Sequence, residues 1–178
     1  MSRLGLTLLE LTVVLVILVA LGTIVVPMMG ENSDQNARTI TVTQLANLRQ
    51  ALVGGQATPG FYGDLRRLPD PAPGTPTSLA LDQLALQGSQ PAFDPATGRG
   101  WRGPYLLNDT FVPDAFSTPV HARRLPLDGW GRAIRLDPRS AATPPPLTRT
   151  NAPDAALISR GPDGIDGTTD DIVLTLFQ

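Results

Sequence analysis

Residues 11–29 run for 19 positions without one charged side chain, and this stretch limits the possible folds more than any other feature. As an α-helix at about 1.5 Å per residue it spans roughly 28 Å, close to the hydrocarbon thickness of a bilayer. Seventeen of the 18 prolines follow Gly54, and only Pro27 precedes it. Proline removes a helical N–H and clashes with the preceding turn, so the first ~50 residues suit one long helix and the rest does not. The expectation is a membrane helix followed by a loop-rich, strand-containing head.

Three other readings of the apolar run fit less well. A secretory signal peptide carries a basic n-region, a shorter apolar core and a small-residue cleavage site. Here Arg3 is the sole basic residue before the run, and Val25-Val26-Pro27-Met28-Met29 offers no such site. A plain signal anchor matches the length but leaves Glu10 unexplained. A buried core helix is rarely uncharged for so long.

The 178 residues carry a net charge of −2, no cysteine and 5% aromatics. There is no basic footprint for nucleic acid and little for stacking single strands. Without cysteine there is no disulfide framework, thiolate metal site or Cys nucleophile.

Glu10 stands at the lip of the apolar run, where a carboxylate is costly. It either rests in the headgroup layer or has a partner. Residues 1–10, Met-Ser-Arg-Leu-Gly-Leu-Thr-Leu-Leu-Glu, resemble the leader of type IV pilins and type II secretion pseudopilins. By that resemblance Gly5 ends a leader and is cut from Leu6, whose amine is then methylated. Glu10 matches the family's fifth mature residue and Pro27 a proline within its long helix. Leu6 departs from the usual Phe. A Leu6 amine lies four residues before Glu10, on the same helical face. In a low-dielectric layer each charge seeks compensation, and such pairs serve specificity better than net stability. The spacing allows a pair within one chain; the resemblance implies one between neighbouring subunits.

Beyond the polar residues 31–35, Ile40, Leu45, Leu48 and Leu52, flanked by Val42 and Val53, recur at near-helical spacing. They predict an amphipathic continuation over 30–54, closed by Gly54-Gly55 and laid on a sheet. Residues 56–103 are rich in Pro and Gly, with a short helix expected over 79–86. Arg66 and Arg67 read as a solvated pair, without assigned chemistry.

In the head, Trp101-Arg102-Gly103-Pro104-Tyr105-Leu106 and Pro126-Leu127-Asp128-Gly129-Trp130-Gly131 are similar to two landmarks of the major pseudopilins of type II secretion. Gly129 replaces a family proline, and Asp-Gly still makes a good turn. Trp130 is expected as a core anchor. Strands are expected over 132–137, 155–159 and 172–177, giving an α+β head.

Between the last two strands, Asp163, Asp166, Asp170 and Asp171 fall within nine residues. Close carboxylates repel unless solvated or bridged by a cation, and oxygen donors without His or Cys suit calcium. The spacing is not that of an EF-hand, and an acidic turn in solvent explains it as well. The segment resembles the calcium loop of the major pseudopilins. By that match Asp163 and Asp170 are the best side-chain ligands, Asp171 next and Asp166 last, with the Ser159 carbonyl completing the shell. His121, the sole histidine, stands in a loop-like segment, and no nucleophile elbow surrounds Ser159. No catalytic residues are expected.

The fold class expected is α+β: a long N-terminal α-helix, membrane-spanning in its first half, packed on a small antiparallel sheet. Its parts are a leader (1–5), a membrane and filament-core helix (6–29), an amphipathic continuation (30–54) and a periplasmic head (55–178). The resemblance implies a non-enzymatic pseudopilin of a type II secretion filament, anchored once in the bacterial inner membrane. Its partners would be further copies of itself, other pseudopilins, the inner-membrane assembly platform, prepilin peptidase and membrane lipid. Alternatives are a type IV or minor pilin, a membrane-anchored binding module that never polymerises, and a secreted enzyme with an uncleaved anchor.

Overall fold

A computed structural model describes residues 8–55, 58–70, 80–107, 111–113, 124–139 and 147–177, with the backbone alone at 22–32, 111–113, 124 and 125. Gly5, Leu6 and His121 lie outside the described residues. The chain divides into two units, Met1–Ala37 and Arg38–Gln178.

Helix α1 (Leu8–Val53) contains the first unit's described residues and runs on into the second. Its backbone stays helical through Pro27. The side chains of residues 8–21 are all exposed, Leu8 by 82% and Leu18 by 63%, so this rod of apolar surface is uncovered in the single chain. Among the described residues, no helix is long and apolar enough to cross a membrane.

In the second unit α1 buries Leu45, Leu48, Ala51 and Leu52, the spacing of one helical stripe. The stripe differs from the expected one in its first turn. Ile40 and Val42 are about half exposed, at 49% and 50%, and Thr41 is buried instead. One turn before Leu45 lies Thr41, not Ile40, and its hydroxyl accepts the Gly129 N–H at 2.9 Å. The helix stops at Gly54, where φ is +93° and a Cβ would lie 2.5 Å from the Gly60 nitrogen.

Strands β3 (Arg135–Asp137), β4 (Ala156–Ser159) and β5 (Ile172–Thr175) form a three-stranded antiparallel sheet in the order β3-β4-β5. Leu136 pairs with Leu157, which pairs with Leu174. The central strand β4 is buried throughout. Leu136, Leu157, Ile134 and Leu176 share one core with Leu45, Leu48 and Leu52 of α1. The α+β class with an N-terminal helix and a small antiparallel sheet therefore holds.

Strand β3 begins three residues later than expected. Arg132 belongs to the preceding turn: its N–H goes to Asp128 Oδ1 at 2.8 Å and its carbonyl accepts the Asp128 N–H at 2.7 Å. The described part of the Pro- and Gly-rich stretch holds more regular structure than its composition suggested. It contains α2 (Phe61–Leu65), and Phe61 is fully buried in the core. The helix expected over 79–86 is a single 3-10 turn at Leu81–Leu84, residue 79 lying outside the described residues. Arg67 is not simply solvated, since it pairs with Asp70 at 3.1 Å and donates to Gln90. A second antiparallel pair, β1 (Phe111–Pro113) with β2 (Arg124–Pro126), was not expected. Trp130 is half-buried and stands outside the core. Trp101 packs against the core instead, its Nε1 donating to the Gln83 carbonyl at 3.1 Å.

Candidate functional site: the acidic loop between β4 and β5

The four acidic residues of the loop are each engaged, but differently. Asp163 Oδ1 accepts the Ile165 N–H at 2.8 Å, closing a local turn. Asp170 Oδ1 accepts the Thr168 hydroxyl at 2.6 Å, and its Oδ2 accepts the Asp163 N–H at 3.2 Å. The Thr168 hydroxyl, ahead of the Asp163 N–H, holds Asp170 below the usual carboxylate range. Asp171 Oδ2 accepts the Gly167 N–H at 2.8 Å, whereas Asp171 Oδ1 is buried without a hydrogen-bond partner. Asp166 pairs with arginines instead, Arg135 at 2.5 Å and Arg160 at 3.1 Å.

The loop closes because its entry is glycine. At Gly161 φ is +58°, and a Cβ would sit 2.4 Å from the Asp170 carbonyl oxygen. Ser159 ends β4 opposite Ile172, the first residue of β5, so these two strand ends frame the mouth of the loop. Its buried hydroxyl donates to Asp128 Oδ2 at 2.6 Å and accepts the Gly161 N–H at 3.3 Å. The other Asp128 oxygen accepts the N–H groups of Trp130 and Arg132, at 3.0 and 2.8 Å. Arg132 then reaches across to the loop, donating to the Gly161 carbonyl and, at 2.7 Å, to the Pro162 carbonyl.

These residues suit calcium in donor chemistry: hard oxygens only, one of them a buried carboxylate oxygen with nothing to accept. Among the described residues, no three acidic side chains are gathered closely enough to hold a metal ion. Asp163, Asp170 and Asp171 share one loop, and the arginine contacts take Asp166 out of that set.

From the sequence Asp128 reads as a turn residue and Arg132 and Arg135 as strand residues, none of them with a role at this loop. Asp128 was legible in principle, as an Asp opening a Gly-x-Gly turn whose following N–H groups need an acceptor. Nothing local marks the reach of Arg132 over 29 residues to Gly161.

A second polar cluster builds on the Gly103-Pro104-Tyr105 segment. Asp64 is buried, with Oδ1 3.0 Å from Arg102 and Oδ2 accepting the Tyr105 hydroxyl at 2.8 Å. Burial above all, with the Asp64 carboxylate adding to it, pushes the Tyr105 hydroxyl up to about 12. These groups line a cavity of about 700 Å³ beside α1, shared with Gln44, Asn47 and Leu106. Glu10, the assembly residue implied by the N-terminal resemblance, lies in the first turn of α1, in the other unit, with its side chain exposed.

No family model matches the chain, and no solved structure does. Over 170 residues, 94% of this chain and 81% of the relative's length, it is 28% identical to type II secretion system core protein G of Pectobacterium carotovorum subsp. carotovorum. The resemblance first carried by the N-terminal and head motifs thus extends over nearly the whole chain, and this protein is similar to a type II secretion pseudopilin.

Proposed function

We propose that the chain is a structural subunit of a periplasmic type II secretion filament, a pseudopilin that takes part in moving proteins across the outer membrane. The observation that carries this reading is the likeness to core protein G along 94% of the chain. The exposed apolar side chains of residues 8–21 agree with it, because such a surface needs lipid or other helices to cover it.

In this reading residues 11–29 hold the subunit in the inner membrane, with the head in the periplasm. Prepilin peptidase removes residues 1–5, and the Leu6 amine is methylated. The assembly platform then extracts subunits into a filament whose core is bundled N-terminal helices, alongside other pseudopilins. Glu10 meets the Leu6 amine of an adjacent copy. Away from water a missed pairing leaves both charges uncompensated, so only the stacking that joins them is tolerated. The role is mechanical, with no catalytic step. Asp163, Asp170 and Asp171, with the Ser159 carbonyl, would close in around a calcium ion, since as they stand no three acids among the described residues are gathered closely enough to hold one. Its positive charge offsets the repulsion of the acids and braces the loop between β4 and β5.

Glu10→Val in a host with an intact secretion system tests the reading. The variant should be inserted and trimmed but fail to form cross-linkable multimers or to support secretion. Normal multimers and secretion from Glu10→Val would overturn the Glu10 pairing, and a wild-type chain that forms no multimers would fit a membrane-anchored module and sink the filament reading.

A further inference from the structure

We propose that Arg132 is a metal-free fastener of the loop at 160–171, holding it closed whether or not calcium is present. The calcium half of this statement rests on the function proposed above; the fastening itself does not.

The contacts set Arg132 apart from its neighbours. Arg135 and Arg160 both meet Asp166, whose side chain is 43% exposed, and such pairs contribute little in solvent. Arg132 instead spends its guanidinium on two consecutive backbone carbonyls, those of Gly161 and Pro162. A planar fork with several fixed N–H donors suits two such acceptors. Because it grips carbonyls, it leaves Asp163, Asp170 and Asp171 available to a cation.

The arm is also braced at its base. The Arg132 N–H is tied to Asp128 Oδ1 at 2.8 Å, and Asp128 Oδ2 accepts the Ser159 hydroxyl at 2.6 Å. Ser159 in turn receives the Gly161 N–H, so Asp128, Ser159, Gly161 and Arg132 form a closed circuit of hydrogen bonds. The loop backbone lies directly on the guanidinium: a Cβ at Gly164, where φ is +74°, would stand 2.8 Å from Arg132 Nε. Two sets of bonds therefore act on one loop, one built into the chain and one supplied by an ion. Loss of either should be tolerated, and loss of both should open the loop.

Amide hydrogen exchange on the full chain in detergent micelles tests this, in EGTA and in Ca²⁺, for the wild type, Arg132→Ala and Arg132→Lys. In EGTA the wild-type loop should stay protected. Arg132→Ala should exchange about tenfold faster or more at residues 160–171, with β4 and the buried turns of α1 unchanged. Arg132→Lys, with one ammonium for two carbonyls, should fall between them. Added Ca²⁺ should restore protection in Arg132→Ala. Equal loop exchange for the wild type and Arg132→Ala in EGTA would overturn the proposal. So would loss of protection spread evenly over β3, β4 and β5, the mark of a general packing role. If Ca²⁺ protects neither chain, calcium binding fails, while a loop-specific difference in EGTA still upholds the fastener.

Discussion

The Ser159 hydroxyl donates to Asp128 Oδ2 at 2.6 Å, and both residues are buried. This bond joins the end of β4 to the turn before β3. With its other oxygen Asp128 holds the Trp130 and Arg132 N–H groups, so one carboxylate organises three donors. Removing it strands those donors. Asp128→Ala should cost about 2–4 kcal/mol, and Ser159→Ala about 1–2. Urea unfolding of the full chain in detergent checks both; an Asp128→Ala loss under about 0.5 kcal/mol would contradict the assignment.

Gly129 occupies a place where the pseudopilin-like motif carries proline. Here its N–H donates to the buried Thr41 hydroxyl of α1 at 2.9 Å. Proline has no N–H, so Gly129→Pro should lower stability by about 1 kcal/mol although it restores the motif. Thr41→Val should cost a similar amount. A higher melting temperature for Gly129→Pro would show that the bond does not matter.

Burial raises the Tyr105 hydroxyl to about 12 from an ordinary value of 10.0. A raised value means that the folded state favours the protonated phenol. Its contribution is therefore complete below pH 10 and is lost as the pH rises through about 12. Absorbance titration near the tyrosinate band should show a late phase that Tyr105→Phe removes. Ionisation of Tyr105 near 10 would contradict the Asp64–Tyr105 geometry.

Leu52 is fully buried, whereas Ile40 is 49% exposed. Leu52→Ala should cost about 2–5 kcal/mol, and Ile40→Ala no more than about 0.5 kcal/mol unless neighbouring copies cover it. Denaturant midpoints for dispersed protein compare the two. Equal losses would mean that the head seats α1 on a different face.

The parts of the fold written in local pattern were legible. Gly54 ends α1, Ile134 and Leu136 alternate into the core, and β4 and β5 are short apolar runs. What stayed hidden depends on distant partners. Thr41 looks like a surface residue until Gly129 arrives from 88 positions away, and Phe61 sits in a stretch whose prolines suggest an open loop. At the acidic loop the carboxylates stood out by composition. The arginines that frame it did not, because an Arg beside a turn reads as solvated until the carbonyls it reaches are known.

The mature N-terminus tests the account most directly. Intact mass of the chain purified from membranes of a host with prepilin peptidase should correspond to a start at Leu6 carrying one added methyl group. A chain that keeps residues 1–5 in such a host would leave no Leu6 amine for Glu10 to meet and would contradict the filament subunit proposed here.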